Sequence, residues 1–171
     1  SLESIEKITG KTFETIDVTA EDDSRKGLRH YFLRVPIRKK DDYLRRLTHI
    51  EDFHGLIFFN QLTELGVMEE KLLYRGVPVG SLASDQNKLL RKAALEQFKK
   101  KMVRALLTTD VAARGLDITG LPYVVNAEVP LSEEAYLHRS GRTGRMGNEG
   151  IVITLVQDNN LRDLKRLLRP S

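Results

Sequence analysis

The chain has 171 residues, 40% hydrophobic, with 28 Lys and Arg against 24 Asp and Glu, a formal charge of +4 and a pI near 9.3. That size suits one domain with a full core, and the charge is compatible with a polyanionic partner without demonstrating one. No cysteine is present to form a disulfide or a thiolate zinc site, the four histidines (30, 49, 54 and 138) lack metal-ligand spacing, and no apolar run approaches the ~18 residues of a membrane span; a soluble, cytoplasmic protein without its own metal site is expected.

In chain order, residues 1–10 read as a polar lead-in, and residues 13–18 alternate like an edge strand. Residues 20–27 form a charged turn. The run 29–35 is a strand closed by Pro36, and Leu44, Leu47 and Ile50 repeat at helical spacing across a helix from Asp41 to about His49. There follow a strand at 56–59, a helix at 62–73, a strand at 78–82, a helix at 86–99 and a strand at 105–108. The series ends with a strand at 123–126, a helix at 132–139, a strand at 151–156 and a last helix from about 159 to 168. Leu161, Leu164, Leu167 and Leu168 form a stripe suited to core packing. Such alternation predicts an α/β fold with a mostly parallel sheet and helices on both faces. Residues 1–171 thus read as a single domain, with 1–27 as lead-in and edge strand and 28–171 as the core.

Two polar blocks stand just beyond β-like apolar runs. In the first, Thr109-Asp110-Val111-Ala112-Ala113-Arg114-Gly115-Leu116-Asp117, Thr109 offers a hydroxyl and an N–H to phosphate, Gly115 permits close backbone approach, and Asp117 can accept from sugar hydroxyls. Singly, these have plainer readings: Thr109 and Asp117 could each cap a turn. The second block, His138-Arg139-Ser140-Gly141-Arg142-Thr143-Gly144-Arg145, interleaves arginines with glycines at the end of a helix that Ser132 can cap. Guanidinium forks bind phosphate oxygens bidentately, and open α/β sheets take ligands at the C-terminal ends of their strands. Phosphate chemistry is the reading that explains both blocks together.

From Gly55 to Val156 the chain resembles the C-terminal RecA-like domain of superfamily 2 helicases, and in detail that of DEAD-box ATP-dependent RNA helicases. Residues 56–60 resemble the motif IV strand, 109–117 match motif V and 138–145 match motif VI. The resemblance implies a RecA-like three-layer α/β/α fold. It also implies ATP and Mg2+ held mainly by an N-terminal RecA-like domain that this chain lacks, and RNA bound through phosphate and ribose. Asp117 would contact the ATP ribose, Gly115 would border the nucleotide, and Arg142 and Arg145 would reach the phosphates, Arg145 as the finger on the γ-phosphate. Thr109, Asp110, Arg114, Gly115, Asn60 and Arg91 would meet RNA, while His138, Arg139 and Phe58 would serve the interdomain face, with Phe58 packed near the motif VI arginines.

Departures from the family pattern are local. Ala83, Ser84 and Lys88 stand where His, Gly and Gln are usual, with Arg91 retained; Gln61 replaces a common Thr or Ser, Glu128 a common Asp, and Lys101 a frequent turn glycine. Thr9-Gly10-Lys11-Thr12 copies the end of a Walker loop, but Ile5 occupies the place of its first glycine and no strand precedes it. No Asp-Glu-Ala-Asp tetrad is present either. The chain is therefore expected to hold half of a composite site, inactive alone. Two alternatives are another superfamily 2 motor and a non-catalytic RNA-binding or protein-docking module of the same fold.

Overall fold

Four strands are apolar on both faces, and this is why the sheet sits between two helical layers. Every residue of β3 (Gly55–Phe59), β5 (Ala105–Thr109), β6 (Tyr123–Asn126) and β7 (Gly150–Val156) is buried, the pattern of parallel strands covered on each side. The computed structural model describes residues 2–10, 14–15, 27–83, 85–144 and 149–168. Adding β1 (Glu14–Thr15), β2 (Leu28–Arg34) and β4 (Val79–Ser81) gives a seven-stranded sheet of order β1-β2-β7-β6-β3-β5-β4. Among the described strands only β1 runs antiparallel, pairing Glu14 with Phe32 at one edge. The remaining pairs, β2·β7, β7·β6, β6·β3, β3·β5 and β5·β4, are parallel.

Side chains alternate between two cores with the period of two that a strand imposes. Ile57, Phe59, Leu107, Val125 and Ile153 face one layer, formed by α1 (Leu2–Thr9), α2 (Lys40–Thr48) and α3 (Leu62–Tyr74), which contribute Ile5, Leu44, Leu47, Leu65 and Leu72. Leu56, Phe58, Leu106, Val124 and Val152 face the other. That layer comprises α4 (Lys88–Lys99), α5 (Asp110–Ala113), α6 (Glu133–Ser140) and α7 (Leu161–Leu167). Leu164 and Leu168 are buried there, with Leu161 and Leu167 packed against them. The fold is the expected RecA-like α/β arrangement. No helix among the described residues is long and apolar enough to cross a membrane.

The lead-in differs from expectation. Residues 2–9 form a helix, with Ile5 wholly buried against the core and the Thr9 hydroxyl donating to the Ile5 carbonyl at 2.8 Å. Arg46 of α2 donates to the Thr9 carbonyl at 3.1 Å, holding the helix end, and Gly10 (φ 69°) terminates it. The apolar stripe is only two or three residues wide, so its charged neighbours mask it in sequence. Ile5 lies inside this helix, so the Walker-like tetrapeptide has no loop around its would-be first glycine. Of the expected edge strand, Glu14 and Thr15 are described; the rest of it, and residues 20–26 of the charged turn, lie outside the described residues.

One glycine is required by close approach of strands. A Cβ on Gly55 would collide with the main-chain carbonyl of Tyr123 on β6. Gly55→Ala is therefore expected to cost at least about 2 kcal/mol, at the upper end of overpacking penalties. Urea denaturation measures it directly.

Candidate functional site

The two polar blocks converge where β3, β5 and β6 end. Thr109 closes β5 and becomes the N-cap of α5, its Oγ1 accepting from the Ala112 N–H at 3.3 Å. Ser132 caps α6 in the same way, accepting from Ala135 at 3.0 Å, and α6 delivers its last turn back toward α5. Between α5 and α6 lies an open groove of about 730 Å³, lined by Phe58, Arg114, Gly115, His138, Arg139 and Arg142 among others. Sequence positions some 25 residues apart thus share one wall.

The three arginines of the second block have different surroundings. Arg139, placed by sequence on the interdomain face, is 1% exposed and spends all five N–H groups inside the chain. Its Nε and Nη2 bind the two Asp110 carboxylate oxygens at 2.8 and 2.7 Å. Nη2 also donates to Asn60 Oδ1 at 2.8 Å, and Nη1 donates to Asn126 Oδ1 and the Glu128 carbonyl at 3.2 and 3.4 Å. Its guanidinium lies 5.2 Å from the centroid of the buried Phe58 ring. Asn126 donates onward to Thr154 on β7 at 3.0 Å, and Asn60 to the Val129 carbonyl at 3.0 Å. One buried cation therefore ties the C-terminal ends of four strands to α6, with every donor satisfied, the condition under which burying a charge is tolerable.

This changes what several expected contacts have to offer. The Asn60 and Asp110 side chains, assigned by resemblance to RNA, are engaged by Arg139, and the Thr109 Oγ1 accepts the cap bond. Phe58 does pack on a motif VI arginine, as expected, but from beneath it. Arg91 donates to the Ala112 carbonyl at 2.7 Å, fastening α4 to α5.

Arg142 is half-buried and turned onto the first block. Nη2 donates to the Ala113 carbonyl at 2.8 Å, and Nη1 donates to the Leu116 and Ile118 carbonyls. These bonds satisfy orphan carbonyls at the end of α5 and hold the following loop. Its Nε–H and second Nη2–H remain without partners among the described residues. Asp117, Arg114 and His138 are exposed, and Gly115 takes φ 80°, with open space where a side chain would stand. Arg145 lies outside the described residues.

Asn126, which sequence reading did not single out, and Glu128, noted there only as a departure from the family pattern, complete the arrangement. Asn126, wholly buried, bridges Arg139 to Thr154, and the Glu128 carboxylate accepts from the Asn60 main-chain N–H at 3.0 Å. A polar amide ending the apolar run Tyr123-Val124-Val125 was the available signal. Beside them, burial pushes the Lys40 ammonium below its ordinary pKa, opposed by the charges of Glu128 and Glu64.

A RecA-like sheet whose two polar blocks share one groove is the arrangement expected of a helicase C-terminal domain. The helicase conserved C-terminal domain family matches residues 39–147, and the chain belongs to that family, in its DEAD-box branch. A DEAD-box ATP-dependent RNA helicase, CshC of Bacillus cereus, is 38% identical over 142 residues, covering 83% of this chain and 36% of that protein. The chain spans little more than a third of the length of the curated relatives it matches. Among solved structures, the E. coli DEAD-box protein SrmB bound to regulator of ribonuclease activity A superposes with TM-score 0.74 at 28% identity, over 81% of this chain and 84% of that one. S. cerevisiae Dbp5 bound to RNA and ADP BeF3 gives TM-score 0.73 at 29% identity, over 85% and 39%.

Proposed function

We propose that this chain is the second half of a composite ATP and RNA site in a DEAD-box RNA helicase, contributing motifs IV, V and VI to ATP hydrolysis and local duplex opening. The observation that carries the reading is Arg142: anchored on the carbonyls of Ala113 and Leu116 in motif V and of Ile118 just beyond it, it retains two unused N–H groups beside Gly115 and His138 on an open groove. That is a donor set suited to a phosphate that another domain holds. Arg142 and Arg145 would contact the phosphates, Arg145 as the finger, and Asp117 the ribose, with Gly115 leaving room for the nucleotide. His138 would couple to the facing domain, while the Arg139–Phe58 pair sets the shape of the face from within.

ATP supplies the transferring phosphoryl group, whose developing charge cationic side chains stabilise. Mg2+ would be held with the ATP mainly by the N-terminal domain. RNA would lie along Thr109, Arg114, Gly115 and Arg91, with Asn60 and Asp110 fixing that edge through Arg139. Contacts of this kind read phosphate and ribose, so binding is sequence-independent and weakens with salt.

RNA-stimulated ATP hydrolysis by the full-length protein tests the reading, with single-stranded DNA and the isolated chain alongside. Turnover that requires RNA, little stimulation by DNA and none from the isolated chain are expected. Equal stimulation by DNA would point to another superfamily 2 motor. No turnover at all would leave a non-catalytic binding module.

A further inference from the structure

Charge is distributed unevenly along the chain. Residues 88–104 carry seven Lys and Arg against the single acid Glu96, a charge of +6, whereas the whole chain carries +4 and the remainder is therefore net negative. On α2, cations are neutralised in place: Asp42 pairs with Arg45 at 2.8 Å and Arg46 at 3.0 Å, and Asp41 with Arg75 at 2.9 Å. By contrast, Lys88, Lys92, Lys99, Lys100 and Lys101 are all exposed, and none makes an ion pair among the described residues.

The helix arranges this excess. At 100° per residue, positions 88, 92 and 99 fall within about 40° of one another, in a stripe about 16 Å long at 1.5 Å rise per residue. Arg91 pins the N-terminal end of α4 to α5, beside Thr109 and Arg114. From there α4 runs back to the start of β5, so the stripe begins at the proposed RNA edge and leads away from it. It ends at Lys101, whose φ of 61° is the left-handed conformation that glycine adopts without strain. A solvated face with no partner would mix its signs as α2 does; an unneutralised row of flexible ammonium groups fits a row of phosphates.

Resting on the RNA reading above, we propose that Lys92, Lys99, Lys100 and Lys101 bind the phosphates of nucleotides flanking those held at the motif V edge, lengthening the RNA footprint along the outside of α4.

The test measures binding of the full-length protein to oligouridylates of 6 and 20 nucleotides by fluorescence anisotropy over a salt series. For Lys92→Gln/Lys99→Gln/Lys100→Gln, affinity for the 20-mer is expected to fall at least fivefold, and its log–log salt slope by about 2, at roughly 0.7 per lost single-strand phosphate contact. Binding of the 6-mer and ATP turnover at saturating RNA stay unchanged. Lys101→Gly should keep or raise the melting temperature while weakening the 20-mer alone, which separates RNA contact from folding. Equal losses on both oligomers, or none, would overturn the proposal. So would unchanged RNA binding together with loss of a saturable polyglutamate complex, an outcome that assigns the stripe to an acidic protein. A wild-type protein that binds neither oligomer would instead sink the underlying RNA reading.

Discussion

RNA-dependent ATP turnover by the full-length protein is expected to fall at least a hundredfold when Arg145 is replaced by alanine, with ATP and RNA both saturating. Arginine fingers in other NTPases are worth roughly 10³–10⁵ in rate because they meet charge that spreads over phosphoryl oxygens only in the transition state. The residues just before Arg145 are held in place. The Leu121 N–H donates to the Arg142 carbonyl at 3.0 Å, the Gly144 N–H donates to the Leu121 carbonyl at 3.1 Å, and the buried Thr143 hydroxyl also donates to that carbonyl. The chain is thus pinned up to Gly144, which takes φ 74°. A hundredfold loss corresponds to about 2.7 kcal/mol of transition-state stabilisation. It should appear in kcat with KM for ATP little changed, since the contact is made in the transition state. Steady-state kinetics with an RNA-binding control decide the matter: unaffected turnover with intact RNA binding would end the finger assignment and favour the non-catalytic module.

Arg139→Ala is expected to destabilise the isolated domain by at least about 2 kcal/mol, the scale of leaving buried hydrogen-bond partners unsatisfied, since the Asp110 carboxylate is 36% exposed. The cause is collective. Asp110 would lose its bidentate cation, Asn60 and Asn126 would each lose a donor, and Phe58 would lose the plane that covers it. Arg139→Lys should rescue little. An ammonium has three donors on a point charge, which cannot reproduce a planar fork serving four residues. The midpoint of urea denaturation measures both variants, and a midpoint equal to wild type for Arg139→Ala would show that the network contributes nothing. Such a loss would also lower ATP turnover, but through folding, so the two arginine variants separate a structural role from a chemical one within one motif.

The positions of the strands and most helices are legible in the sequence because they rest on local periodicity. Runs such as Leu106-Leu107 and Val124-Val125 declare strands buried on both faces, and Ser132 with two acids behind it declares the start of α6. The first helix is not legible, because its burial depends on a narrow stripe and on Arg46, 37 residues away. The four-residue α5 is equally hidden, since a single turn has no periodicity to detect.

The site divides along the same line. Residue order alone was enough to set two blocks rich in arginine, glycine and acids at the ends of neighbouring strands, and with them the family. These are statements about residue type and order. Only the tertiary structure decided which arginine does what: Arg139 is sealed in a network of strand ends, Arg142 clamps the motif V loop with two donors to spare, and Asn60 and Asp110 serve that network with their side chains. The physical reason is that a guanidinium has the same five donors wherever it stands in the sequence. Its role follows from which acceptors surround it and whether water can reach it, and those are fixed by strands distant in sequence and adjacent in the sheet.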